Sequence, residues 1–258
     1  MKYLGKLHFK MKETLSHIKA ITKKELSCYF SSPIAYVFMV IFLLLCNFFT
    51  FSVSHFYEVG QADLRGFFQW HPWIYLFLVP SVAMRLWSEE RRLGTIELLL
   101  TLPVRTSEAV VGKFLSAWIF IGICLFFTFP LVLTVLYLGN PDIGVILCAY
   151  FGSFLLAGAY LSIGSFTSAI TRNQVISFIL SVVICLFFVL AGWPPVTEFF
   201  SGWAPSWAID MLAGISFMTH YESIQRGVLD IRDIFYFISV IFFMLSVTGV
   251  ILQNIRSS

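Results

Sequence analysis

Residues 114–141 read FLSAWIFIGICLFFTFPLVLTVLYLGNP, and after the single charge of Asp142 residues 143–171 continue IGVILCAYFGSFLLAGAYLSIGSFTSAIT. Neither run contains Asp, Glu, Lys or Arg. A helix needs about 20 mainly apolar residues to cross a hydrocarbon core about 30 Å thick, so each run supplies one span. Four further charge-free runs lie outside them, from Cys28 to Tyr57, Gly66 to Met84, Asn173 to Thr197 and Ile234 to Ile255. The chain is therefore expected to be an all-α integral membrane protein with six transmembrane helices, at about 34–54, 67–86, 114–138, 144–170, 174–193 and 234–254. The second span carries Gln69, His71 and Pro72 in its outer third, where proline near a first turn leaves no broken hydrogen bond.

Composition agrees with this class. Of 258 residues, 59% are hydrophobic and 12% charged, against about 45–50% and about 25% in an average soluble domain. A soluble fold of this length would leave large apolar patches in water.

The basic residues sort by side. Lys2 to Lys24, Arg85 to Lys113, Arg172 and Arg256 fall on one side, and only Arg65, Arg226 and Arg232 on the other. Positive-inside bias places the first group, with both termini, in the cytoplasm. The net charge of +3 is then an orientation signal that needs no nucleic acid. The apolar run after the basic N-terminus is too long for a signal-peptide core. Cys28, Cys46, Cys124, Cys148 and Cys185 have neither disulfide nor zinc spacing and read as packing residues.

Three segments outside the spans have their own design. Residues 1–33 form a cytoplasmic N-terminus with an amphipathic interfacial helix over 13–31. Leu15, Ile18, Ile21, Leu26 and Tyr29 share one face of it, and Glu13, His17, Lys19, Lys23 and Lys24 the other. Glu25 falls inside the apolar arc, which fits a contact with the cytoplasmic loop or a partner as well as a carboxylate reaching water. In the cytoplasmic loop 85–113, Gly94 breaks one helix, Thr95 caps the next with Glu97 in its first turn, and Pro103 closes it. Leu98 and Leu99, with two further leucines, give that short helix more apolar surface than a solvated loop shows. Thr106 or Ser107 then caps the third span, with Glu108 in its first turn. The outer loop 194–233 carries Trp193, Trp203 and Trp207 with Pro194, Pro195 and Pro205, suited to a lipid boundary.

Pro80-Ser-Val-Ala-Met-Arg85, Glu89-Glu90-Arg91-Arg92-Leu-Gly94-Thr95-Ile-Glu97-Leu98-Leu99-Leu-Thr-Leu-Pro103 and Gly112-Lys113-Phe114 resemble the signature of type-2 ATP-binding-cassette (ABC-2) exporter permeases. The closest flavour is the branch of the gliding-motility permease GldF and the nitrous-oxide-reductase maturation permease NosY. Glu25-Leu-Ser-Cys-Tyr-Phe-Ser-Ser-Pro-Ile-Ala-Tyr-Val37 is similar to that branch's first-span entrance, and Arg226-Gly-Val-Leu-Asp-Ile-Arg-Asp233 to its entrance to the sixth.

The resemblance implies an ABC-2, type V exporter-like fold, with 34–254 as a six-helix permease domain and short or re-entrant helices in the outer loop. It implies a bacterial inner-membrane location and a coupling helix from about 96 to 102 seated in a cytoplasmic ATP-binding-cassette ATPase subunit. Glu89, Glu90, Arg91, Arg92, Gly94, Thr95, Glu97, Leu98, Leu99 and Pro103 belong to that coupling loop. It also implies a second permease copy and leaves room for an envelope-side accessory subunit. ATP and Mg would sit on the partner, with no cofactor and no catalytic residue in this chain. No G-x-x-x-x-G-K-[ST] occurs, since Gly5-Lys6 and Gly112-Lys113 lack the earlier glycine and the following hydroxyl residue.

Two alternatives carry different chemistry. An ion-coupled secondary transporter commonly uses intramembrane ionisable groups, and the six cores hold none except His71. A membrane-embedded metalloenzyme would have to bring His55, His71 and His220 together. Within the fourth span, Ala149, Ser153, Ala157, Ser165 and Ala169 recur at fourfold spacing, interrupted by Leu161, with Gly152, Gly158, Ser162 and Gly164 nearby. This row reads as a close-packing face, with a polar transport path as the sharper alternative.

The orientation is tested by labelling intact cells with an impermeant thiol reagent. Cysteines introduced at Gly60 and Ser201 should label and one at Ser107 should not; labelling at Ser107 would overturn the orientation.

Overall fold

Near the start of three of the six charge-free runs, a short polar side chain caps a helix in the computed structural model, which describes residues 2–95, 104–202 and 205–257. Ser32 accepts the Ile34 N–H at 3.3 Å, Asp142 accepts those of Gly144 and Val145 at 2.9 and 3.3 Å, and Asn173 accepts that of Val175 at 2.9 Å. Such caps satisfy helix N–H groups that have no partner within the helix. The helices they open are α2 (Pro33–Phe48), α9 (Ile143–Ile170) and α10 (Gln174–Leu190).

Before them stands α1 (Lys2–Ser31). After α2, which runs on through a π-helical turn at Phe49–Val53, come α3 (Phe56–Val59), α4 (Arg65–Gln69), α5 (His71–Ala83) and α6 (Ser88–Leu93). The third span is divided into α7 (Thr106–Phe126) and α8 (Phe129–Leu138). Beyond α10 come α11 (Pro194–Ser201), α12 (Ser206–Ile215), α13 (Phe217–Gln225) and α14 (Ile231–Ser257). Among the described residues there is no strand.

Among the described residues four stretches are long and apolar enough to cross a membrane: Pro33–Val53, Thr106–Leu138, Ile143–Ile170 and Ile231–Ile255. The other two expected spans are shorter as helices. α10 has 17 residues. The run at 67–86 splits at Trp70 between α4 and α5, where Pro72 occupies the first turn of α5, and the chain turns again over Met84–Trp87. A similar break separates α7 from α8, where Pro130 cannot continue the N–H ladder.

The fourth run becomes the central helix. α9 packs against α14, α5, α10, α13 and α7, and its small residues set how closely they approach. A Cβ built on Gly164 would overlap the Cβ of Ala83 on α5; one on Gly152 would lie 2.6 Å from Ile224, and one on Gly158 2.9 Å from Trp118. The row is thus a packing face. Its hydroxyls find partners inside the bundle: Ser153 lies 2.7 Å from the Tyr75 hydroxyl, and Ser162 donates to the Ala159 carbonyl at 2.8 Å. In lipid no water would satisfy them.

The helix expected to lie on lipid is packed against the bundle. α1 packs along α7, with Tyr29 stacked on Phe120 at 5.2 Å and Ile21 against Gly112, where a Cβ would come within 2.8 Å of Ile21. The Thr22 hydroxyl is shared between the Ile18 and Gly112 carbonyls at 2.8 and 3.1 Å. Leu15, at the edge of the arc, stays exposed. At the opposite end of the bundle the loops meet one another, with Gln225 donating to the Arg65 carbonyl at 3.0 Å and Ser54 to that of Gly66 at 3.1 Å.

Gly164→Ala should lower the thermal stability of the detergent-purified chain by about 1–3 kcal/mol, the usual cost of overpacking. Adding Ala83→Gly should recover most of the loss. Equal destabilisation by the single and double variants would show that α5 and α9 do not meet at this pair.

Candidate functional site

The turn that leads from α5 into the predicted coupling loop is held by α9. The Ser168 hydroxyl accepts the N–H groups of Trp87 and Ser88, each at 3.0 Å, and donates to the Met84 carbonyl at 3.0 Å. The Trp87 indole N–H donates to Ser165 at 3.1 Å, and the Ser88 hydroxyl donates to the Met84 carbonyl. Arg91 reaches from α6 to the Ala169 carbonyl near the end of α9. Partial burial, followed by the nearby Arg172, lowers the Arg91 pKa from its ordinary value, but a guanidinium remains charged in proteins.

α6 itself is short, with Glu89 and Glu90 in its first turn and Arg91 and Arg92 in its last. That order complements the helix dipole at both ends. Gly94 ends the helix at φ +71°, in the left-handed region that favours glycine. Thr95 follows; Glu97, Leu98, Leu99 and Pro103 lie outside the described residues.

The centre of the site is Lys113, about two turns into α7. Its side chain is 5% exposed, and its Nζ donates to Glu90 at 2.8 Å and to Glu25 at 3.3 Å. The ammonium also sits 5.3 Å from the centre of the Trp87 ring, within cation–π range. Glu25 of α1, Glu90 of α6 and Lys113 of α7 thereby converge on one buried charge. The second oxygen of Glu90, Oε2, is buried without a hydrogen-bond partner, so the carboxylate depends heavily on the lysine.

A second link binds α1 to α7. Buried Glu108 accepts from His17 Nδ1 at 3.0 Å and from the Arg105 N–H at 3.3 Å. Arg105 takes the cap position of α7 that sequence reasoning gave to Thr106 or Ser107, because Glu108 reaches back to its backbone.

Sequence reasoning found Glu25 and the α6 charges but not Lys113, Trp87, Ser165 or Ser168 as members of the site. The usable signal was a mismatch. A glutamate inside an apolar arc and a lysine at the mouth of an apolar run are each unfavourable alone, and each removes the other's cost.

The histidines are placed separately. His55 lies 3.3 Å from Glu58, His71 is buried among Phe42, Phe67, Phe68 and Tyr75, and His220 lies 2.7 Å from Asp233. Among the described residues no group of three or more His, Cys, Asp or Glu is placed to hold a metal ion.

A sequence model of the family described as "ABC-2 family transporter protein" matches residues 19–209. That stretch contains Glu25, all of α6, Lys113 and all of α9. No curated protein sequence matches the chain.

Lys113→Met should destabilise the chain by roughly 3 kcal/mol, the lower end of the cost of breaking a buried ion pair, because two carboxylates lose their counter-ion. Adding Glu25→Gln and Glu90→Gln should restore much of it. Thermal unfolding in detergent measures both, and a neutral Lys113→Met would contradict the buried pairing.

Proposed function

Since the chain belongs to the ABC-2 family of transporters, we propose that it is the membrane-spanning permease subunit of an ATP-driven exporter, powered by a separate ATPase. The family match over residues 19–209 carries this reading. It supports a multi-pass permease of an ABC transporter, to which the finer assignments below are added.

In the proposed scheme six spans cross the bacterial inner membrane, with α4–α5 and α10 completing the four longer ones and both termini in the cytoplasm. The fold is of the type V exporter kind, in the GldF- and NosY-like branch. Two permease copies face each other around a central path, and an envelope-side subunit joins where the system needs one. ATP and Mg bind only to the partner ATPase, and no residue of this chain is catalytic.

The mechanism follows from what α6 touches. ATP closes the ATPase subunits and displaces the coupling segment near 96–102. α6 precedes that segment directly and is fastened to α9 through Ser168, Ser165 and Arg91. Through Glu90 and Lys113 it is fastened to α7 and α1. A push on the loop therefore reaches the central helix and the interfacial helix together, and the bundle moves between two access states as a packed body.

Glu97→Lys would put a cation at the positive end of the proposed coupling helix, costing roughly 0.3–1 kcal/mol before any partner contact is lost. Leu99→Asp would bring charge into an apolar seat. Both variants should reach the membrane at normal abundance, capture less ATPase and lose transport. Full ATPase binding and full transport in both would remove the coupling assignment.

A further inference from the structure

Between α1, the start of α2, the end of α5 and α7 lies a cleft of about 290 Å³. Its inner wall is apolar, with Phe38, Val82 and Phe120, while Arg85 and Glu89 stand among its polar lining. Glu25 and Lys113 also line it, but they are engaged with each other and with Glu90. Arg85 is exposed and Glu89 half-buried, and neither makes an ion pair or side-chain hydrogen bond among the described residues. One unpaired cation and one unpaired anion thus share a small cleft with an apolar wall.

The cleft has an apolar continuation. Ile34 lines it and is exposed, and Val37, Ile41, Leu44 and Phe48 follow on α2, all exposed as well. Residues spaced by three and four lie on one helix face, so an exposed apolar stripe runs from the cleft down a candidate membrane span. α1, whose Glu25, Cys28 and Tyr29 line the cleft, exposes Lys19, Lys23 and Lys24, which suits the headgroup layer. With α2 as a membrane span and these lysines at the headgroups, the cleft would sit where a lipid's polar and apolar parts meet.

We propose that this cleft binds one aminophospholipid of the phosphatidylethanolamine type, with its phosphate on Arg85, its ammonium on Glu89 and an acyl chain along the α2 stripe. A guanidinium matches phosphate oxygens in a fork, and a primary ammonium offers three N–H donors to a carboxylate. A quaternary choline offers none. An anionic glycerol headgroup would satisfy Arg85 but offer Glu89 only neutral hydroxyl donors and no cation. At about 290 Å³ the cleft is at the small end of ligand pockets, roughly 300–1,000 Å³, so it takes the headgroup and leaves the chains to the stripe. The site requires neither ATPase nor transport.

The full-length chain in detergent is offered equal amounts of phosphatidylethanolamine, phosphatidylcholine and phosphatidylglycerol with matched acyl chains, and retained lipid is read by native mass spectrometry. Phosphatidylethanolamine should exceed the others roughly tenfold, the scale of one charge-assisted hydrogen bond. Arg85→Gln should weaken retention of phosphatidylethanolamine and phosphatidylcholine alike. Glu89→Gln should sharply reduce the preference between those two, because phosphatidylethanolamine loses its charge-assisted hydrogen bonds and phosphatidylcholine only a weaker charge attraction. Soluble glycerophosphoethanolamine should fail to displace the lipid. Equal retention of all three lipids, preference for phosphatidylglycerol, an intact preference in Glu89→Gln, or displacement by the soluble headgroup would each overturn the proposal. Should Arg85→Gln fail to fold, the Glu89→Gln selectivity still decides.

Discussion

The rest of the structure depends on how closely α9 approaches its neighbours. Helices in lipid gain little from hiding apolar surface, since the tails are equally apolar, and associate through packing and hydrogen bonds. Gly152, Gly158 and Gly164 remove the side chains that would hold α13, α7 and α5 away. Ser165 and Ser168 then come within hydrogen-bonding distance of the turn after α5. The small-residue row thus has two consequences, a tight core and a fastened loop.

A buried charge ties that loop to the rest of the chain. An ammonium withdrawn from water loses several kcal/mol of solvation unless a partner offsets it, and Lys113 has two carboxylates from segments far apart in sequence. Such a pair adds little net stability compared with apolar residues of similar volume, but removing one member leaves an uncompensated charge. Its value here is positional, since α1, α6 and α7 must keep one relative arrangement for the charges to meet.

Much of the fold was legible in the sequence because lipid imposes a simple rule, long charge-free runs ended by caps. Ser32, Asp142 and Asn173 stand at or near the start of three of those runs and do cap helices. Breaks within a run were harder to read. Pro72 and Pro130 looked compatible with continuous spans, yet the helices divide beside them, because a run shows only that residues tolerate lipid and says nothing of the N–H ladder. The apolar arc of α1 was also ambiguous, since a helix resting on lipid and one resting on α7 need the same periodicity. Lys113 was legible as an orientation charge and not as a partner of Glu25 and Glu90, because residues distant in sequence meet only once the helices are packed. The apolar part of the proposed coupling helix, Leu98 and Leu99, lies outside the described residues, so its case rests on residue pattern and family.

The most direct test of the central claim is purification of the chain from its native membrane in mild detergent, with identification of every co-purifying protein. A permease driven by a separate ATPase should bring with it a soluble protein that contains a phosphate-binding G-x-x-x-x-G-K-[ST] loop. Consistent isolation as a stable permease with no ATPase would contradict the claim and favour an ion-coupled carrier.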